Sequence, residues 1–152
     1  MPLMSNRILC SRRLFSAVAS VLAPLLVLVA TALQPGAILT QIRIPSTWAN
    51  ARFYFEKARD RQVWDFPLAN VASAAKVNNG VIEDIRIVAN GVAPYPVRFI
   101  AAEDAVRGQQ VGDQAADQAG QIAIRGVNPL AHNGYKVTLL RNLVMRAVRG
   151  EE

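Results

Sequence analysis

Three hydrophobic patterns succeed one another along this chain: a long apolar run, a zone of alternation, and a zone in which apolar residues recur every three or four positions. The first run is Leu14 to Leu33, interrupted only by the uncharged Ser16, Ser20 and Thr31. After the turn residues Gln34-Pro35-Gly36, the segment Ile38 to Pro45 reads as a short strand, and Ser46 to Asn50 reads as a loop. Residues 66–77 are apolar and alanine-rich, and periodicity alone leaves helix and strand open there. Asn78-Asn79-Gly80 predicts a hairpin turn. Beyond it Val81, Glu83, Ile85, Ile87 and Ala89 fall on one face of a strand, with Ile82, Asp84, Arg86 and Val88 on the other. Gly91 to Pro96, with two prolines, breaks the pattern. Ala101 to Val106 predicts a short helix closed by Gly108. Asp113 is expected to cap a second helix reaching about Arg125, with Ala116, Ala119 and Ala123 at helical spacing and Gly126 ending it. A last helix, Tyr135 to Arg149, places Leu140, Leu143, Val144 and Ala147 on one stripe. Strands first and helices after imply an α+β fold, a two-layer sandwich of a small antiparallel sheet with about three helices.

Length and composition narrow the class. The 152 residues suffice for one domain plus a leader, and 52% hydrophobic content fits a globular core. The net charge of +6 comes from scattered arginines rather than a dense patch, so nucleic acid is not an expected partner. Cys10 is the only cysteine and His132 the only histidine, so neither an internal disulfide nor a self-contained iron–sulfur or zinc site can be assembled. Redox metals, where needed, belong to partner chains.

The segment from Leu14 to Leu33 carries no charge and follows Arg7, Arg12 and Arg13. Its length matches the roughly 20 residues that cross a bilayer. Ala30-Thr31-Ala32 fits an export cleavage site, and Ser11-Arg12-Arg13-Leu14-Phe15 resembles a twin-arginine signal, which makes the expected location cytoplasmic or periplasmic. Three readings of residues 1–33 stay open: an export signal or membrane anchor, a remnant left by truncation or frame shift, and a core helix.

Few residues here look like chemistry. Lys57 and Arg61 stand four apart, the spacing of one helical face. Trp64 and Asp65 are expected to open the first long strand, with Trp64 in the core. Arg98 and Glu103 are expected to pair at the surface, worth well under about 1 kcal/mol. His132 reads as a cap or loop residue, because no nucleophile or second acid stands near it. No catalytic set or metal cluster is visible.

Five short signals occur in a telling order: Tyr54 to Arg61, Trp64-Asp65-Phe66-Pro67-Leu68-Ala69, Asn90-Gly91-Val92-Ala93-Pro94, Arg98 with Glu103, and His132 to Val137. Together they resemble the C-terminal domain of the flavoprotein (medium) subunit of molybdenum hydroxylases, the family of carbon monoxide dehydrogenase, xanthine dehydrogenase and aldehyde oxidoreductase. The resemblance favours a strand over residues 66–77, so that Asp65 to Ala89 becomes a β-hairpin. It divides the chain into a leader (1–33), the end of a flavin-domain strand with a linker (34–48) and the flavoprotein C-terminal domain (49–150). It further implies FAD as cofactor of the complete subunit, an iron–sulfur subunit and a molybdopterin-binding large subunit as partners, and electron flow from molybdenum through iron–sulfur clusters to FAD. Lys57, Arg61 and Asp65 are the positions it places at the flavin. Residues 1–33 contain no glycine, whereas a pyrophosphate cradle needs clustered glycines. FAD is therefore not expected to be held by this chain alone. Two other readings stand beside this one: an exported or membrane-anchored interaction domain, possible contact being through residues 14–33, and a non-functional fragment.

Overall fold

The computed structural model describes residues 36–150; residues 1–33, with Cys10, Arg12 and Arg13, lie outside the described residues, as does every reading made of them. From Leu39 onward the chain forms one unit. A 3-10 turn at Ser46–Trp48 leads into strands β1 (Arg52–Ala58), β2 (Ala69–Asn78), β3 (Val81–Asn90) and β4 (Val97–Arg98), then helices α1 (Ile100–Val106), α2 (Asp113–Ala123) and α3 (Tyr135–Arg149). The sheet is antiparallel in the order β1-β2-β3-β4, and the helices cover one face of it. This is the α+β sandwich that the order of patterns implies.

The core is built where the two periodicities meet. Val71 and Ala75 of β2 and Ile82, Ile85, Ile87 and Ala89 of β3 are buried against Val106 of α1, the alanines of α2, and Leu140, Leu143, Val144, Ala147 and Val148 of α3. Burying a side chain of the Ile or Val size contributes about 1.5–3 kcal/mol each, so the β2–β3 hairpin and α3 hold the unit together. The small alanine face of α2 lets α3 lie close against it. At one end of this pair Asp113 forms an ion pair with Arg149 at 2.7 Å. Asp113 is the first residue of α2 rather than its cap; Gly112 occupies the cap position and no side chain closes it.

Four further expectations are corrected. Residues 38–45, expected as a short strand, form none, because among the described residues no partner strand pairs with them; Leu39, Ile42 and Ile44 are exposed. The segment around Lys57 is strand, not helix: Arg52 to Ala58 pairs with Ala75 to Ala69. The first long strand begins at Ala69, leaving Trp64 and Asp65 in the preceding loop. The faces of β3 switch within the strand. Lys76 pairs with Asp84 and Val77 with Ile82, so Glu83 bulges out between them. The bulge turns Ile82 inward to join Ile85 and Ile87, while Glu83 is exposed and accepts a hydrogen bond from Asn78 at 2.9 Å.

The two edges of the sheet differ. On the β3 side, β4 pairs only with Val88 and Ala89. Beyond it the Ile87 carbonyl accepts Phe99 N–H at 3.0 Å, and the Ile87 N–H donates to the Glu103 carboxylate at 2.9 Å. Further along, the Ile85 N–H donates to Asp84 and Ile82 pairs with Gly108 and Gln109. That edge is closed by side chains and loop where the strand runs out. Glu103 is fully buried, and Arg98 donates to both of its oxygens at 2.6–3.1 Å. The expected surface pair is thus an interior carboxylate completing a sheet, because α1 starts directly after β4 and points its first turn at the strand. Hydrogen bonding to Glu103 raises the pKa of Arg98 further.

Candidate functional site at the β1–β2 loop

The strand register sets the site. Phe53, Phe55 and Lys57 project from β1 on the face away from the helices, and their cross-strand partners are Ala74, Ala72 and Asn70. Across β2, these align with Arg86, Val88 and Asn90 of β3. Among the described residues no helix packs on this face, and Phe53 and Phe55 are exposed. At one end of it Trp48 lies under the Lys76 ammonium and the Arg86 guanidinium, at 4.7 and 5.2 Å from its ring centre. At the other end lies Lys57.

Residues 59–68 fold back over that second end. The loop is closed at its base by the Leu68 N–H donating to the Ala58 carbonyl at 2.8 Å. Inside it, one oxygen of Asp65 accepts the backbone N–H groups of Asp60 and Arg61 at 3.0 and 2.8 Å, and the other lies 3.6 Å from the Arg61 guanidinium. Lys57 donates to the Asp65 carbonyl at 2.6 Å. The three residues singled out in the sequence, Lys57, Arg61 and Asp65, are therefore brought together, through a carboxylate that organises a loop rather than through a helical face. Trp64, expected in the core, is 95% exposed and holds a left-handed backbone at φ 53°. Its neighbour Phe66 is also exposed. An outward Trp in a conformation costly for a non-glycine residue persists where its surroundings impose it, and here the Asp65 contacts do so.

The hydrogen bond from the Arg61 N–H, despite an opposing push from burial, holds the Asp65 carboxyl below the usual aspartate range, with the Asp60 and Phe66 N–H groups adding to it. A carboxyl with a depressed folded-state pKa keeps its contacts at any pH above its unfolded value, about 3.9, and loses them as the pH falls through the lower folded value. Asp65→Asn is expected to loosen the loop at neutral pH as acid does in the parent chain. Amide exchange at Asp60 and Arg61 should accelerate at least about tenfold while core amides of β2 and β3 keep their protection. Unchanged exchange at those two amides would mean that the loop is held by something else.

Chemically the site offers a cation with donors to spare beside a flat, exposed aromatic surface. Nothing in it supplies an acid–base pair; His132 is exposed in the loop before α3. Among the described residues no group of three or more His, Cys, Asp or Glu could hold a metal. Sequence reading missed Phe53 and Phe55, which alternation would have revealed had β1 been read as a strand.

Residues 53–150 match the family model of the CO dehydrogenase flavoprotein C-terminal domain, and the chain belongs to that family. It is 30% identical over 118 residues to the glyceraldehyde dehydrogenase medium chain of Sulfolobus acidocaldarius, covering 75% of this chain and 41% of that protein. It is 29% identical over 122 residues to the nicotine 6-hydroxylase medium subunit of Paenarthrobacter nicotinovorans, covering 78% and 42%. The chain thus spans about two-fifths of the length of these relatives. Among solved structures, carbon monoxide dehydrogenase of Hydrogenophaga pseudoflava superposes with a TM-score of 0.60 at 29% identity, over 66% of this chain and 36% of that one. Quinoline 2-oxidoreductase of Pseudomonas putida 86 shares the fold at 19% identity, with a TM-score of 0.60 over 65% and 36%.

Proposed function

We propose that this chain acts as the C-terminal part of the FAD-binding subunit of a molybdopterin-dependent oxidoreductase of the aldehyde oxidoreductase or xanthine dehydrogenase type. The observation that carries the reading is Lys57, held by the Asp65 carbonyl at the rim of the open aromatic sheet face. The donor set fits one edge of a flavin ring: an ammonium, with Trp64 and Phe66 exposed on either side of Asp65. It does not fit the pyrophosphate, since among the described residues no two glycines stand closer than Gly108 and Gly112. FAD, when bound to the complete subunit, supplies reversible electron storage. This chain's part is to position Lys57, whose charge stabilises negative charge on the reduced ring, and to exclude water with the exposed aromatics. The iron–sulfur and molybdopterin subunits are the partners that such a role requires.

The test is Lys57→Met in a subunit reconstituted with a glycine-rich FAD domain. The flavin midpoint potential is expected to fall by a few tens of millivolts, given that about 30 mV corresponds to about 1.4 kcal/mol for a two-electron couple. FAD loading and folding should be retained, because a half-buried lysine on an edge strand contributes little to stability. An unchanged potential with full loading would remove Lys57 from the flavin.

A further inference from the structure

A cavity of about 260 Å³ lies between the Gly91 turn, β4 and the start of α3, and no residue of the β1–β2 loop lines it. Val92, Val97, Phe99, Val137 and Leu140 form its apolar wall, and among the described residues Lys136 is the only charged one lining it. Its rim includes exposed Asn128 and Pro129, so solvent reaches it. The Lys136 ammonium donates to the Gly91 carbonyl at 3.0 Å, which uses one of its three donors.

Lys136 is placed against the local field. It stands in the first turn of α3, where the helix dipole disfavours a cation and where no acidic residue compensates. The Gly91 carbonyl offsets part of that cost with a neutral acceptor. A carboxylate would offset more, since it would meet a positive helix end and an ammonium together. The walls restrict what can carry that carboxylate. A dry cavity of about 150 Å³ is enough for benzene, so about 260 Å³ takes a six- to eight-carbon body but falls short of the space that drug-sized or nucleotide ligands occupy.

We infer that this cavity is a binding site for a small monocarboxylate with a short apolar body, its carboxylate on Lys136 and its stem among Val92, Val97, Phe99 and Val137. The site is separate from the flavin-facing loop and does not depend on the proposed redox role.

The experiment is a titration of the full-length chain with sodium hexanoate, followed by amide chemical shifts, with hexanamide as the uncharged control. Hexanoate is expected to shift the amides of Val92 and Val137 saturably, with a Kd on the order of 1 mM or tighter. Hexanamide should bind at least about tenfold more weakly, and Lys136→Met, which keeps the stem and removes the charge, should lose a similar factor. Val127→Trp fills the cavity from its half-exposed rim and should abolish binding even if Lys136→Met does not fold. The inference is overturned by any one of three results: no saturable shift at about 10 mM hexanoate, equal binding of hexanamide, or binding that survives Val127→Trp.

Discussion

Arg98→Ala is expected to lower the unfolding free energy by about 3 kcal/mol, more than any other surface-reachable charge in the domain. Glu103 is 0% exposed, and its carboxylate is shared between the Ile87 N–H and the Arg98 guanidinium. Among the described residues the one other cation paired with it is Arg86, at 3.9 Å, and that guanidinium is already engaged by Asp84 and the Ile85 carbonyl. Removing Arg98 leaves a buried charge with one neutral donor. Such truncations cost about 3–5 kcal/mol, and the lower end applies because Arg98 is itself 43% exposed, so water can replace part of what it supplied. Glu103→Gln should cost less, about 1–2 kcal/mol, since its amide oxygen can still accept the Ile87 N–H. Replacing both residues, Arg98→Met with Glu103→Leu, should recover much of the loss by removing the charges together, leaving chiefly the unpaired Ile87 N–H. Urea unfolding with an unchanged m-value reads all three. A loss under about 1 kcal/mol for Arg98→Ala would return the pair to the ordinary class of surface ion pairs.

The same pair marks where sequence reading stops. Arg98 and Glu103 are five positions apart, and nothing in that spacing says that β4 has only two residues, so that a carboxylate must complete the β3 edge. Elements whose signal is local were legible. The Asn79-Gly80 turn, the alanine face of α2 and the stripe Leu140, Leu143, Val144 and Ala147 appear where periodicity and turn chemistry place them. β1 was hidden because Phe53, Tyr54 and Phe55 are consecutive aromatics, which erase alternation, and because its outward face is itself apolar. The register of β3 was legible only on one side of Glu83, since a bulge inserts one residue and exchanges the faces. Lys57, Arg61 and Asp65 came from the family resemblance, and the structure adds the reason they belong together. The Asp65 carboxylate collects two backbone N–H groups, and a short-range polar turn of that kind leaves no periodic trace.

Gly91→Ala is expected to cost about 2–3 kcal/mol, and the cost should be felt at both ends of the sheet rim. Gly91 has φ 76°, where an added Cβ costs about 1–2 kcal/mol by itself. That Cβ would also meet the Pro67 and Leu68 carbonyl oxygens and the Ala69 Cα, each at 3.3 Å, and all three are backbone atoms that cannot swing aside. Gly108 is the internal control: its φ is 81°, but nothing lies within 4 Å of its added Cβ, so Gly108→Ala should show the conformational cost alone. The difference between the two variants isolates the steric contribution. Its structural consequence follows from position, because Pro67 to Ala69 is the exit of the Lys57–Asp65 loop and the Gly91 carbonyl is the acceptor of Lys136. A displaced Gly91 turn should therefore accelerate amide exchange at Leu68 and weaken the hold on Lys136, while the α2–α3 amides keep their protection. Equal losses for Gly91→Ala and Gly108→Ala would show that the Gly91 turn has room to relax, and that the loop whose Asp65 carbonyl holds Lys57 is positioned without it.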